Sequence, residues 1–215
     1  MNDRQTAFKD LSFKAKIEHI WEYYRVGIIL GIFVVLIVGS IAKAMITHVE
    51  PVFSVMMVNT WSDQTKGGEC LSKFLVENGY DAKEGVCDTS LNLVIDDPLY
   101  YQDQTQLFVL LASKEYDVMF SDNTVLEKYA PQGCYQNLEN YLSEAQLKEL
   151  EDNLYYTTDE KTKENYPCAI HLTKEESKWL DETYTYNDCY FMILYSDKTD
   201  EELMQKFISV LLKSE

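Results

Sequence analysis

Seven polar or aromatic residues follow the apolar stretches that we predict to be strands, and their side chains could bind a ligand. In an open α/β sheet, ligands bind where the carboxyl ends of the strands meet loops and helix amino termini. The residues predicted at this edge are Asn59, Thr60, Trp61, Asp96, Asp97, Asp122 and Asn123. The three carboxylates among them could hold a hard cation such as Ca²⁺ or Mg²⁺, which prefers several oxygen ligands.

The same aspartates have a structural alternative, because helix caps belong at these positions. Asp97 precedes Pro98, and Asp122 precedes the helical stretch NTVLEKY. An aspartate at an N-cap accepts hydrogen bonds from backbone N–H groups in the first turn of a helix. The sequence therefore leaves both a ligand site and a set of helix caps open at this edge.

No catalytic set accompanies these residues in the sequence. His19, His48 and His171 lie on different predicted elements, so neither a zinc site nor a histidine-based triad is indicated. Ser121 has no base near it in a recognisable motif, and the chain contains neither G-x-S-x-G nor a glycine-rich phosphate loop. We therefore expect a binding protein without a cofactor or a resident metal, and not an enzyme.

The five cysteines all lie after the apolar N-terminal segment, where an oxidising compartment would permit disulfides. We expect the pairs Cys70–Cys87, which bracket a predicted helix and its return loop, and Cys168–Cys189, which each begin a late strand. Cys134 is then left over. The alternative is that all five thiols stay reduced.

Charge excludes one class of partner. The chain of 215 residues has a formal net charge of −17 and a pI near 4.5, whereas a nucleic-acid-binding surface needs clustered Lys and Arg. Six of the 19 basic residues and four of the 36 acidic residues precede residue 44, so the remainder carries 13 basic and 32 acidic residues. The two parts of the chain therefore suit different environments.

Residues 26–46 are predicted to form a transmembrane helix. VGIILGIFVVLIVGSIA contains no charged residue, and the apolar run continues past Lys43 to Ile46. A helix of this length spans about 31 Å, close to the roughly 30 Å of bilayer hydrocarbon. Trp21, Tyr23 and Tyr24 precede the span, where aromatic rings favour the headgroup region. The lipid bilayer is thus the first expected partner.

Basic residues predict the orientation of this span. Five Lys and Arg precede it, whereas Lys43 is the last before Lys66. By the positive-inside rule, residues 1–25 are cytoplasmic and the main domain is extracellular. The alternative is a cleaved signal peptide, because AKA at 42–44 has the form of a cleavage site.

The cytoplasmic leader, residues 1–25, contains an amphipathic stripe. Ile17, Ile20, Trp21 and Tyr24 are spaced to lie on one face of a helix. Such a stripe indicates an interfacial helix that continues into the span. The alternative is a docking surface for a membrane protein.

After a linker at 47–51, strands and helices alternate over residues 52–215, which predicts an α/β domain with an open, mostly parallel sheet covered by helices. The predicted strands are 52–61, 91–98, 116–122, 165–172 and 189–196, and residues 155–167 are predicted to be a loop. Capping boxes are predicted at Ser143–Gln146, Thr173–Glu176 and Thr199–Glu202.

Two stretches carry a resemblance to a known family. ASKEYDVMFSDNTVLEKYAPQGCYQNLENYLS (112–143) and YFMILYSDKTDEELMQKFISVLLKSE (190–215) resemble segments of bacterial extracellular solute-binding proteins of the type II periplasmic class. The leader, FKAKIEHIWEYYRVGIILGIFVVLIV, is similar to that of small membrane-anchored proteins of Gram-positive anaerobes. The chain between Ser143 and Tyr166 is too short for a second lobe, so the resemblance implies a single lobe without a closing cleft.

These observations together predict a single-pass membrane protein that displays a binding or interaction module outside the cell. The expected partner is a membrane or surface protein, and the module could be an accessory subunit of a transporter or of another membrane complex. The alternative is a tethered binder of a small solute or divalent cation at the strand carboxyl ends.

Overall fold

The N-terminal apolar segment forms one continuous helix, α1 (Phe13–Thr47). The structure is a computed structural model that describes residues 13–47, 49–94, 97–159, 162–183, 185 and 188–212. Within these ranges, α1 contains the one stretch, Trp21–Lys43, that is long and apolar enough to cross a membrane. Its apolar side chains are exposed to the surroundings rather than buried in protein, as Phe33 and Leu36 illustrate. Part of the predicted leader and the predicted span thus belong to one helix.

The chain divides into two compact units, Met1–Val49 and Glu50–Glu215. The second unit is built on a six-stranded mixed sheet with the order β2-β1-β3-β6-β5-β4. Its strands are β1 (Phe53–Val58), β2 (Gly85–Asp88), β3 (Val118–Ser121), β4 (Leu154–Thr158), β5 (Asn165–Leu172) and β6 (Cys189–Ile193). β1 is parallel to β2 and β3. The pairs β3–β6, β6–β5 and β5–β4 are antiparallel.

The α/β class predicted from the sequence is therefore confirmed, but the sheet is mixed and not mostly parallel. The short connection between β4 and β5 explains part of the difference, because parallel neighbours need a crossover of a dozen or more residues. The missed strand β4 lies in the stretch that was predicted to be a loop.

Helices cover both faces of the sheet. They are α2 (Gln64–Glu77), α3 (Tyr100–Ser113), α4 (Asn123–Tyr129), α5 (Glu144–Glu149), α6 (Lys178–Glu182) and α7 (Glu201–Leu211). Strand side chains alternate between two cores: Phe53, Val55 and Met57 pack with residues of α2, α6 and α7, whereas Met56 and Val58 pack with residues of α3 and α4. All six residues of β1 are buried, as expected for a central strand covered on both faces.

One of the predicted strands, 91–98, is wrong. Residues 91–94 belong to no strand, and residues 95 and 96 lie outside the described residues. Leu91 and Leu93 are nevertheless buried, because the segment is held beside β1 by hydrogen bonds to Asn59. The strand next to β1 is instead the short, partly charged β2.

The three predicted capping boxes differ in outcome. Ser143 caps α5 with reciprocal hydrogen bonds to Gln146, as predicted. Thr173 and Glu176 form the same reciprocal contacts in a turn, and Ser177 caps α6 instead. Asp200 caps α7 in place of Thr199, whose hydroxyl donates a hydrogen bond to the buried carboxylate of Asp117.

Candidate functional site

Asn59 lies at the carboxyl end of β1 and connects it by hydrogen bonds to the segment 91–93 and to the residue that precedes α4. Its backbone N–H donates to the carbonyl of Leu91 at 3.2 Å. Its side-chain amide accepts from the N–H of Leu93, donates to the carbonyl of the same residue, and donates to Asp122 Oδ2 at 3.0 Å. Asn59 is buried and has a left-handed backbone conformation with φ of 57°. Asparagine tolerates this conformation better than most residues.

Asp122 acts as a helix cap, which was one of the two alternatives. Its Oδ1 accepts a hydrogen bond from the N–H of Val125 at 3.0 Å, and it is the N-cap of α4. Its Oδ2 accepts from Asn59. Both carboxylate oxygens therefore have partners within the protein. Asn123 does not join this network, because its side chain donates to Glu127 on the exposed face of α4.

Asp97 caps a turn rather than a helix. Its Oδ1 accepts a hydrogen bond from the N–H of Leu99 at 2.8 Å, one residue before α3 begins. Among the described residues there is no group of three or more His, Cys, Asp or Glu side chains that could hold a metal ion. Asp96, which would complete the predicted set of three carboxylates, lies outside those residues.

Trp61 is presented on the loop that follows β1. It has φ of 55°, a conformation that is strained for a bulky aromatic residue, and its side chain is 57% exposed. Strained backbone persists only where the surrounding structure determines it. The loop therefore holds an aromatic ring in solvent at an energetic cost.

A chain of hydroxyl groups anchors this loop to the segment after α6. Ser62 Oγ donates to Thr60 Oγ1 at 2.9 Å and lies 2.8 Å from Thr185 Oγ1, which lies 2.9 Å from Thr183 Oγ1. The Thr183 hydroxyl donates to the carbonyl of Trp179 at 2.8 Å. The three threonines are buried. Sequence reasoning named Thr60 but missed the other hydroxyls, because T-x-S and T-x-T spacings are common in loops.

Asp117 forms a second buried polar cluster, next to the amino end of β3. Its Oδ2 accepts from the N–H of Ser54 at 2.8 Å, and its Oδ1 accepts from Thr199 Oγ1 at 2.9 Å. The residue is 2% exposed. Burial raises the pKa of this carboxyl above its ordinary value of 3.8, and the hydrogen bonds from Ser54 and Thr199 oppose that rise.

The cysteines are free thiols in the structure. Cys168–Cys189 is incompatible with the sheet, because Cys189 pairs with Leu172, four positions beyond Cys168 and roughly 13 Å away along the strand. A disulfide needs Cα atoms within about 7 Å. Cys70 and Cys87 both lie near Gly67, and the Cys70–Cys87 bond stays a prediction. The Cys70 thiol donates to Glu182 at 3.7 Å.

No protein-family model matches this chain, and comparisons with curated proteins and with solved structures also find no match. The loops at the carboxyl ends of the strands combine a closed polar network with one exposed, strained aromatic residue.

Proposed function

We propose that this chain is a single-pass membrane protein whose α/β unit binds another protein outside the cell and catalyses no reaction. The observation that carries the proposal is the presentation of Trp61 on a strained loop. Tryptophan is enriched among the residues that dominate protein–protein binding energy. A glycine at this position would relieve the strain, so folding alone does not explain a tryptophan there.

The membrane part of the proposal rests on α1 and its flanks. The stretch Trp21–Lys43 has the length and apolarity of a span, and Lys14, Lys16 and Arg25 precede its apolar core. Basic flanks stay on the cytoplasmic side. This supports an extracellular accessory subunit of a transporter or of another membrane complex, and a single solute-binding-type lobe is part of the same proposal.

Affinity capture with the tagged full-length chain from gently solubilised membranes tests the binding function. The wild type should retain a specific membrane protein, and Trp61→Ala should weaken its capture by about tenfold or more, as expected for a binding hot spot. Tyr101→Ala is the matched control, because Tyr101 is also an exposed aromatic residue of the same unit. Equal capture by wild type and Trp61→Ala would contradict the proposal, as would the absence of any partner.

Trp61→Gly separates binding from folding. Glycine adopts a positive φ without strain, so this variant should be more stable than the wild type by about 1 kcal/mol. Chemical unfolding of the purified chain measures the change. A more stable variant that no longer captures the partner would show that the ring is kept for binding. A less stable variant would show instead that the ring supports the fold.

Topology is tested separately by adding protease to intact cells. We expect residues 50–215 to be degraded while a tag at the N-terminus survives inside. Protection of residues 50–215 would reverse the proposed orientation.

A second candidate function is a tethered binder of a small solute or divalent cation at the strand ends. The proximity of the Asn59 amide and the Asp122 carboxylate favours it, but both groups are engaged within the protein. A change in tryptophan emission on addition of Ca²⁺ that Trp61→Phe abolishes would support this candidate over protein binding.

A further inference from the structure

The two edges of the sheet differ in how their backbone groups are covered. At the β2 edge, the side chain of Gln64 donates from Nε2 to the carbonyl of Cys87. Its Oε1 accepts from the N–H of Thr89 at 2.8 Å and from the Thr89 hydroxyl at 2.7 Å. One side chain thus occupies backbone groups that another chain could otherwise pair with.

The β4 edge has no such cover within the part of the chain that the structure describes. β4 is the last strand of the sheet, and among the described residues no backbone hydrogen bond reaches it apart from those of its pairing with β5. Its sequence, Leu-Tyr-Tyr-Thr-Thr, has high strand propensity and lacks charge and proline, the usual protections of an edge strand. Tyr156 is 47% exposed.

The bulge in the β4–β5 pair does not interrupt the exposed edge of β4. The register places Tyr155 opposite Ala169 and Tyr156 opposite Pro167, so the extra residue, Cys168, lies in β5. Bulges often end pairing at an edge when they occur in the edge strand itself. Here the bulge is in the inner strand, and β4 presents an uninterrupted row of backbone groups.

An acidic cleft lies at the hairpin end of β4. It has a volume of about 440 Å³, and Asp159, the residue directly after β4, is among its lining residues. Glu139 and Glu164 add two more carboxylates, and no Lys, Arg or His is among its described lining residues. Its lining comes from the hairpin, from the start of β5 and from Asn137, Glu139 and Tyr195, so it favours a positively charged side chain just beyond the end of β4.

We propose that β4 binds an extended segment of another protein as an added strand, and that a Lys or Arg at one end of this segment occupies the acidic cleft. Backbone hydrogen bonds to an edge strand provide affinity, and flanking side chains provide specificity. A second copy of this chain is disfavoured, because the residues from 44 onward carry 13 basic and 32 acidic groups and would repel one another.

This inference goes beyond the proposed function and does not depend on it. Trp61 follows β1, and three strands, β3, β6 and β5, separate β1 from β4. Loss of binding at Trp61 and loss of binding at β4 can therefore be observed independently.

The test uses the full-length chain in detergent and short fluorescent peptides of alternating valine and threonine. One peptide ends in lysines and its matched control ends in glutamates. Fluorescence anisotropy should show binding of the lysine peptide and at least tenfold weaker binding of the glutamate peptide. On binding, amide hydrogen exchange should slow at residues 154–158.

Three variants locate the contact. Tyr156→Lys places a charge on the strand edge and should weaken binding of the lysine peptide about fivefold or more, whereas Tyr101→Lys, the same change on α3, should leave it unaltered. The double variant Glu139→Gln/Glu164→Gln keeps both side-chain shapes and should weaken binding about three- to tenfold. Far-ultraviolet circular dichroism checks that each variant is folded.

Several outcomes would overturn the proposal. They are equal binding of the two peptides, binding that Tyr156→Lys leaves intact, and exchange at residues 154–158 that does not slow on binding. Concentration-dependent dimerisation that Tyr156→Lys abolishes would also overturn it, because a second copy would then occupy the edge.

Discussion

At the scale of single residues, Asp117 shows how this fold uses a buried charge. The carboxylate joins the start of β1, through Ser54, to the segment before α7, through Thr199. Leaving a buried hydrogen-bond acceptor without its partners lowers the free energy of unfolding by about 1–3 kcal/mol. Asp117 therefore links parts of the unit that are distant in sequence and stabilises their contact.

The raised pKa of Asp117 makes its contribution to the stability of the fold depend on pH. Burial raises its pKa in the folded state above the ordinary value of 3.8, so folded protein binds the proton more tightly than unfolded protein. Its contribution to stability is then fully present below pH 3.8 and declines as pH rises through the folded pKa. We expect Asp117→Asn to destabilise the chain by about 1–3 kcal/mol.

The matched comparison is wild type against Asp117→Asn, unfolded with urea at several pH values. Since the asparagine does not titrate, the stability difference between the two proteins should grow as pH falls through this window. A difference that shrinks on acidification would mean that hydrogen bonds outweigh burial and that the folded pKa is lowered.

The candidate site was predictable only in part at this scale. Asp122 was recognisable as a cap because an Asp before an amphipathic stretch has a local function. The partners of Asn59 were not, since Leu93 and Asp122 are 34 and 63 residues away. The positive φ of Trp61 could not be predicted from the sequence either, because no local rule places a tryptophan in that conformation.

At the scale of elements, two adjacent glycines of α2 should respond oppositely to alanine. A Cβ at Gly67 would lie 2.7 Å from Cys87 Sγ, whereas a Cβ at Gly68 would meet nothing within 4 Å. Gly67→Ala should therefore destabilise the chain by about 1–2 kcal/mol through overpacking. Gly68→Ala should stabilise it by roughly 0.5–1 kcal/mol, because alanine is the better helix former.

Urea unfolding of both variants measures these changes. Adding Cys87→Ala to Gly67→Ala should recover part of the loss, since the clashing sulfur is removed. If Gly67→Ala is as stable as Gly68→Ala, then α2 can move away from β2 freely and the close contact does not restrain it.

The elements themselves were predictable where their pattern was long and apolar. β1, β3, β5, β6 and the helix ending before Gly79, which has φ of 89°, follow apolar periodicity and known stop signals. β2 and β4 were missed because they are short edge strands whose residues are largely half-buried. Because β4 was missed, its antiparallel hairpin with β5 was missed as well.

At the scale of the whole molecule, the apolar stretch of α1 is long and apolar enough to cross a membrane. Ile32 lies near the middle of Trp21–Lys43 and is exposed. An arginine at the centre of a transmembrane helix costs about 2.5–3.5 kcal/mol on insertion scales. We expect Ile32→Arg to reduce the fraction of the chain that resists alkaline extraction from membranes.

Phe13→Arg is the matched control, because Phe13 is exposed on the same helix but precedes the apolar stretch. It should remain membrane-bound. Retention of Ile32→Arg to the same extent would mean that α1 does not span the bilayer.

The packing around the thiols has a practical consequence for sulfur chemistry. Burial raises the pKa of Cys70 to about 11 and of Cys87 and Cys168 to about 12, and it also raises the pKa of Cys134 and Cys189. Because the thiolate is the reactive species, all five should react sluggishly with alkylating reagents while the chain is folded. Denaturation would expose all five thiols to solvent. The amount of iodoacetamide that reacts with the protein would therefore report how much of it is unfolded.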